Sequence, residues 1–397
     1  MELNTKQQEG LAIALERYNK GERYTVISGY AGTGKSTLVK SLIAALSDVD
    51  PETQVVYTSF TGKATQVLQK KGNKNVSTLH KLLYKSNQKA DGTYYRRPVD
   101  SIPYKVVVVD ECSMVPNELM QQLAKYPVHV ICLGDPAQLP PILKDEDNHL
   151  LDHPHVFLDE IMRQAEDSEI IKLTMDIRAG KPLERFIGKE VQVLNKSELT
   201  TGMLLWADQI LCATNSTRVI LNNKIRELLG KSGDPQEGEK IICLKNNWNI
   251  ESHTGNPLVN GTVGYLKKPT KKWLHLPPNV TSDRTFKNIE LVTGNFVSDT
   301  DENYGTLIMD KQFFINGESG IDWKTLYKMH QNQFFKFQVP DQFTYGYAIT
   351  THKSQGSEWD KVLVIEEGFP FDKEEHKQWL YTAATRAAQK LVIIKKD

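Results

Sequence analysis

The stretch Gly29-Tyr30-Ala31-Gly32-Thr33-Gly34-Lys35-Ser36 lies between an apolar run, Tyr24–Ser28, and a helix-forming run, Thr37–Ile43. A strand, a tight glycine loop and a helix in immediate succession form a cradle for a nucleotide triphosphate. The glycines let backbone N–H groups converge on phosphate oxygens where side chains would block the approach. The helix that follows turns its positive end toward the same anion. Gly32, Thr33, Gly34, Lys35, Ser36 and Thr37 are therefore the candidate nucleotide-binding residues. Lys35 is placed to reach the β and γ phosphates, and the Ser36 hydroxyl to take one site on Mg²⁺. The setting requires an α/β sheet and points to ATP hydrolysis.

The chain has 397 residues, enough for two or three domains with separate cores. Lys plus Arg and Asp plus Glu both number 49. Zero net charge argues against bulk coating of duplex nucleic acid while leaving room for a local basic groove or base stacking. No run approaches the ~18 apolar residues of a membrane span, and the N-terminus has no signal-peptide character. Cys112, Cys132, Cys212 and Cys243 form no CxxC pair, and three lie in apolar strand-like runs. Buried reduced thiols and a cytoplasmic location are expected.

Strand and helix patterns alternate through the first 80 residues, with Asn4 or Thr5 capping a helix that runs to Tyr18. Polar residues 85–98, with an Asp91-Gly92 turn signal, read as a small hairpin insertion within residues 82–104. Further buried strands are expected at Thr53–Ser59, Tyr104–Asp110, Val128–Leu133 and Gln209–Ala213, and helices at residues 168–180 and 216–229. Short alternating runs at Lys240–Leu244, Thr262–Lys267, Lys272–Leu276, Lys287–Val292 and Thr306–Met309 indicate a small all-β module. The α/β pattern returns from Tyr345, with a helix at 374–388.

Val106–Val109 places Asp110 and Glu111 at the C-terminal end of a buried strand, the edge where α/β sheets hold ligands. Asp110 suits Mg²⁺, and Glu111 can take the proton of the water that attacks the γ-phosphate. An acidic pair that merely favours a helix dipole is the plainer alternative, and Lys35 and Ser36 upstream weigh against it. Gly134-Asp135-Pro136-Ala137-Gln138-Leu139-Pro140-Pro141 follows another apolar strand, and Gln138 is suited to orient water or contact the γ-phosphate.

Asp110–Met114 and Gly134–Pro141 resemble motifs II and III of the superfamily 1 DNA helicases, in the RecD/Dda branch. Other signatures follow in order. Leu3–Gln7 is similar to the branch's Q motif, Thr58–Ala64 to motif Ia, Ser77–His80 to its TxH element and Leu158–Gln164 to motif IV. Thr350–Asp360 resembles motif V and Tyr381–Ala387 motif VI. The resemblance implies two RecA-like domains, residues 1–167 and residues 168–240 with 344–397, and an SH3-like insertion at 241–343. It implies that Gln7 reads adenine and that Gln355 and Glu358 face the nucleotide. Arg163 and Arg386 would stabilise the transferring phosphoryl group from opposite sides of a cleft, with Arg386 as an arginine finger.

It further implies DNA-phosphate contacts from Thr58, Thr61, Lys63, His80, Thr351, His352 and Lys353, and a strand-separating pin that carries Tyr94 and Tyr95. The chain is short for this branch, and no accessory domain is expected. The reading is an ATP- and Mg²⁺-dependent helicase, a monomeric 5′→3′ motor on single-stranded DNA and single/double-strand junctions. It would serve replication, recombination or repair, with single-strand-binding or replisome proteins as candidate partners. Rival readings are a translocase that displaces proteins without unwinding, a nucleotide-switched binding module, and an RNA helicase.

Overall fold

The computed structural model describes residues 3–49, 54–88, 94–140, 149–162, 167–276, 287–317, 339–368 and 372–396. One compact unit comprises Met1–Asn87, Arg96–Ala213 and Thr351–Asp397; the other comprises Gln88–Tyr95 and Thr214–Thr350.

The chain begins α1 (Thr5–Asn19), β1 (Tyr24–Gly29), α2 (Lys35–Val49), β2 (Val55–Ser59), α3 (Gly62–Lys70), β3 (Val76–Thr78) and α4 (Leu79–Leu83). Strands β4 (Tyr84–Gln88) and β5 (Tyr94–Pro98) form a two-stranded sheet. Next come β6 (Val106–Asp110), α5 (Asn117–Leu123), β7 (His129–Gly134), β8 (Val156–Leu158) and α6 (Glu169–Arg178). They are followed by β9 (Phe186–Ile187), β10 (Val191–Asn195), α7 (Thr201–Trp206) and β11 (Gln209–Cys212). The second unit holds α8 (Asn215–Leu228), β12 (Lys240–Cys243), β13 (Asn247–Glu251), β14 (Pro257–Leu258), β15 (Val263–Leu276) and β16 (Lys287–Ser298). It ends with β17 (Asn303–Asp310), α9 (Lys311–Asn316), β18 (Phe343–Tyr345) and β19 (Ala348–Thr350). The first unit resumes with α10 (Thr351–Ser354), β20 (Trp359–Ile365), α11 (Lys373–Ala384) and β21 (Ala387–Lys395).

Two sheets of the first unit position the site. The first has the order β3-β2-β6-β7-β1-β8, with every pairing parallel. Its central strands are buried along nearly their whole length, as a sheet with both faces covered requires. Leu38, Leu42 and Leu46 of α2 cover one face with Ala14 of α1, and Leu79, Leu83, Leu119 and Leu123 cover the other. The order β6-β7-β1-β8 brings the C-terminal ends at Asp110, Gly134, Gly29 and Leu158 side by side. In the second sheet β11, β20, β21 and β10 are parallel neighbours, with β9 antiparallel at the edge.

In the second unit, β17-β16-β15-β12-β18 form an antiparallel sheet over a core that includes Leu266, Phe296, Phe343 and Tyr345. Here the sequence expectation needs correction. The two runs around 262–276 form one strand, because the pairing with β16 shifts register between Lys267 and Thr270 and then continues. Pro269, which has no N–H to donate, sits at that shift, so the ladder skips it rather than ending there. All four cysteines are buried and free. Among the described residues no helix is long and apolar enough to cross a membrane.

Candidate nucleotide and nucleic-acid site

The loop after β1 is held from three sides. Gly32 and Gly34 have φ of 78° and 80°, a region that side-chain-bearing residues rarely enter. A Cβ on Gly34 would stand 2.5 Å from Met162 Sδ and closer still to Gln7 Nε2. Met162 N–H donates to Gly32 O at 3.0 Å, and Tyr30 N–H to Leu158 O at 3.3 Å. Gln7 Nε2 donates to Thr33 O at 3.1 Å, while Gln7 Oε1 accepts the Asn4 N–H at 3.0 Å. Asn4 and Gln7 together cap α1, so the predicted adenine reader braces the loop and closes a helix end. Lys35 Nζ donates to Gly29 O at 2.6 Å and Tyr30 O at 3.0 Å, curled over the position that phosphate oxygens would claim. Ser36 is exposed in the first turn of α2, and Thr37 Oγ1 lies 3.9 Å from Met162 Sδ.

Glu111 follows β6 in a left-handed conformation with φ 51°. For a residue with a Cβ that costs about 1–2 kcal/mol, so the surrounding structure must enforce it. Its N–H donates to Asp110 Oδ1 at 3.0 Å. Burial pushes both carboxyls above their ordinary values. The Arg386 guanidinium is the leading charge that pulls Glu111 back down, and Lys35 adds to it. Lys71 leads in opposing the rise at Asp110, with Lys35 and Arg386 behind it. Two half-buried carboxyls thus share the charges of Lys35 and Arg386 at the end of the sheet, and Lys71 adds its charge at Asp110.

Arg386 is buried at 5% exposure. Its described acceptors are neutral: Thr382 O at 3.2 Å, Ser357 O at 3.2 Å and Thr385 Oγ1 at 3.1 Å. The same end of α11 grips the loop after β7. Leu139 N–H donates to Thr382 Oγ1 at 2.8 Å, and Leu139 O accepts Gln355 Nε2 at 2.7 Å. Asp135 Oδ1 accepts the Ala137 N–H at 3.0 Å, and Asp135 Oδ2 the Tyr381 hydroxyl at 2.8 Å. Gln138 is half-buried on the loop so held. Gln355, expected at the nucleotide, instead clamps that loop, and Glu358 is exposed. Asp135, Tyr381 and Thr382 lay inside recognisable motifs but carried no expected role, since their partners are more than 240 residues apart. Arg163 lies outside the described residues.

The expected DNA-phosphate contacts divide. Thr58 and Thr351 are wholly buried, with hydroxyls turned to Val108 O at 2.8 Å and Cys212 O at 3.5 Å. That geometry removes both from the direct contacts, because a hydroxyl turned inward to the sheet cannot reach a strand outside. Thr61 caps α3 by accepting the Ala64 N–H at 3.2 Å. The Lys63 ammonium lies 5.8 Å from the centroid of the Trp359 ring. Gly356, with φ 71°, packs where a Cβ would fall 2.9 Å from Ala64 Cβ, so motifs Ia and V meet here. His80 sits between Phe60 and Tyr84. His352 is half-buried, which holds its imidazole below the usual value and neutral, and Lys353 beside it is half-buried as well. Tyr94 and Tyr95 lie on β5, and their side chains are outside the described residues.

Comparison with known proteins matches this arrangement. Residues 2–198 fit the family model described as an AAA domain, and residues 345–394 fit the UvrD-like helicase C-terminal domain. The ATP-dependent RecD2 DNA helicase of Deinococcus radiodurans is 26% identical across 92% of this chain and 46% of its own length. This chain therefore spans about half of that relative. An uncharacterized protein of Acanthamoeba polyphaga mimivirus is 24% identical across 98% of this chain and 99% of its own length. A solved structure of two coordinating Pif1 helicases at forked double-stranded DNA superposes with a TM-score of 0.54 at 18% identity, covering 99% of this chain and 92% of that one. The fold is that of two RecA-like domains. The two family-model matches and the RecD2 relative support a superfamily 1 helicase of the RecD/Pif1-like group.

Proposed function

We propose that this chain is an ATP-dependent DNA helicase that moves 5′→3′ along single-stranded DNA and opens duplexes at junctions. ATP-dependent helicase action on DNA is the coarser reading that the matches support; direction, junction preference and residue roles are the finer one. One observation carries it: Asp110 and Glu111 stand half-buried at the C-terminal end of β6, where the charges of Lys35 and Arg386 act on both.

In this reading Lys35 exchanges its two carbonyl partners for phosphate oxygens, a charge-assisted replacement of neutral bonds. Water attacks the γ-phosphorus, the bond to the β–γ bridging oxygen breaks, and ADP leaves with the electron pair. Glu111 takes the water proton, a role that its raised carboxyl suits. Gln138 orients the water, and Arg386 and Arg163 stabilise the equatorial oxygens. Mg²⁺ fits the donor set of the exposed Ser36 hydroxyl and the strand-end Asp110 carboxylate, and would neutralise phosphate charge there. Thr61, Lys63, His80, His352 and Lys353 are the proposed phosphate contacts, and Tyr94 and Tyr95 the pin. We read the antiparallel sheet of the second unit as the SH3-like insertion. The motor is proposed to act as a monomer, with single-strand-binding proteins as partners.

The test is unwinding of duplexes that carry a 5′ or a 3′ single-stranded tail, with ATP turnover followed in parallel. Strand release from the 5′-tailed duplex alone is the expected result. DNA-stimulated ATPase with no strand release would leave a translocase, and release from the 3′-tailed duplex would reverse the direction.

A further inference from the structure

We propose that Tyr381 is a positioning residue that holds the Ala31 amide in place of the terminal phosphate of ATP and passes the arrival of that phosphate to the Asp135 loop. The inference rests on the ATPase reading above and adds a residue that motif order left without a role.

Tyr381 is 1% exposed, and both hydrogen-bonding functions of its hydroxyl are engaged. It accepts the Ala31 N–H at 2.9 Å and donates to Asp135 Oδ2 at 2.8 Å. Burial, and then the Asp135 charge, push its phenol far up, so it remains a protonated donor. Ala31 sits between the Tyr30 carbonyl, where Lys35 rests, and the turn of Gly32 to Gly34. Its amide is one of the donors that a loop of this kind offers to phosphate.

A phosphate oxygen is an anionic acceptor and outcompetes a neutral hydroxyl for one N–H. Its arrival displaces Tyr381 from Ala31 and leaves the hydroxyl with Asp135 alone. The movement is felt on α11, whose last turn also carries Thr382 on Leu139 and leads to Arg386. ADP has no terminal phosphate and leaves the Ala31–Tyr381 bond intact. The hydroxyl therefore separates the two nucleotides without being a catalytic residue.

Tyr381→Phe keeps the buried ring and deletes both bonds. Binding of a non-hydrolysable ATP analogue and of ADP is measured beside DNA-stimulated ATP turnover. The analogue should bind about fivefold tighter, because it then pairs an otherwise orphaned amide, while ADP affinity stays within about twofold. The maximal rate should fall about tenfold. Equal weakening of both nucleotides would mean a purely structural tyrosine and would overturn the proposal, as would no change in either. Asp135→Asn gives a second route: the rate loss of the double variant should match that of the worse single variant, and additive losses would sink the proposal. Lack of ATP turnover by the unmodified chain would defeat the helicase reading itself, which separates the two failures.

Discussion

Arg386 in the first unit and Arg226 in the second are both buried, and they are held differently. Arg226 in the second unit meets Glu239 at 2.5 Å, stacks 4.1 Å from the Tyr345 ring centroid, and donates to Gly233 O and Asp234 O. Glu239, with no exposed side-chain surface, also accepts the Gln236 N–H at 2.7 Å. That pair is complete and closes the loop before β12. Arg386 in the first unit has only neutral acceptors described for it, and its charge falls instead on Glu111 and Asp110. Arg226, locked on a carboxylate, serves the fold, whereas Arg386 keeps a charge that a ligand can use.

The widest separation should come from truncating each. Arg386→Ala should lower DNA-stimulated ATP turnover about 10³-fold in steady-state assays and cost less stability than Arg226→Ala. Arg226→Ala should cost about 3–5 kcal/mol of stability in denaturant titrations, because Glu239 is left buried and unpaired. Turnover per folded molecule should survive it. Exchanged phenotypes would mean that Arg226 serves turnover and Arg386 the fold.

Asp341 is another buried charged residue and a milder case. Burial raises it to about 6 from an ordinary 3.8, against one stabilising bond from Asn247 Nδ2 at 2.6 Å. A folded value above the unfolded one means stability falls as pH rises between the two and is flat above. The full penalty at neutral pH is at most about 3 kcal/mol. Asp341→Asn should therefore raise the melting temperature at pH 7.5 and leave it nearly unchanged at pH 4.

Smaller still is an effect on the pH profile of turnover. Glu111 sits above its ordinary 4.5, so activity should be lost on acidification at a higher pH than for a normal glutamate. Removal of Arg386, the leading opposing charge, should move that limb further up. The least effect is expected from Thr58→Val. The DNA concentration for half-maximal ATPase stimulation should stay within about twofold, with about 1 kcal/mol of stability lost with the bond to Val108 O.

Much of the fold was legible in the chain because its signals are local. The Asn4 cap, the buried runs of β6 and β7 and the glycine loop each depend on a few consecutive residues. Local signals also misled. A threonine in motif Ia or V reads as a free donor, yet Thr58 and Thr351 turn inward, and nothing within a few residues of either reports what lies across the sheet. Thr262–Lys267 and Lys272–Leu276 read as separate runs, but the pairing with β16 continues through both with a register shift at Pro269.

The sequence by itself determined a triphosphate loop, an acidic pair at a buried strand end and two α/β sheets, since backbone conformation and burial period are written in neighbouring residues. Tertiary structure alone decided that Gln355 and Thr382 would grip Leu139 and that the Tyr381 hydroxyl would stand between Ala31 and Asp135. Those partners lie 216 to 350 residues apart, and only the docking of α11 and its flanking turns brings them within hydrogen-bond reach.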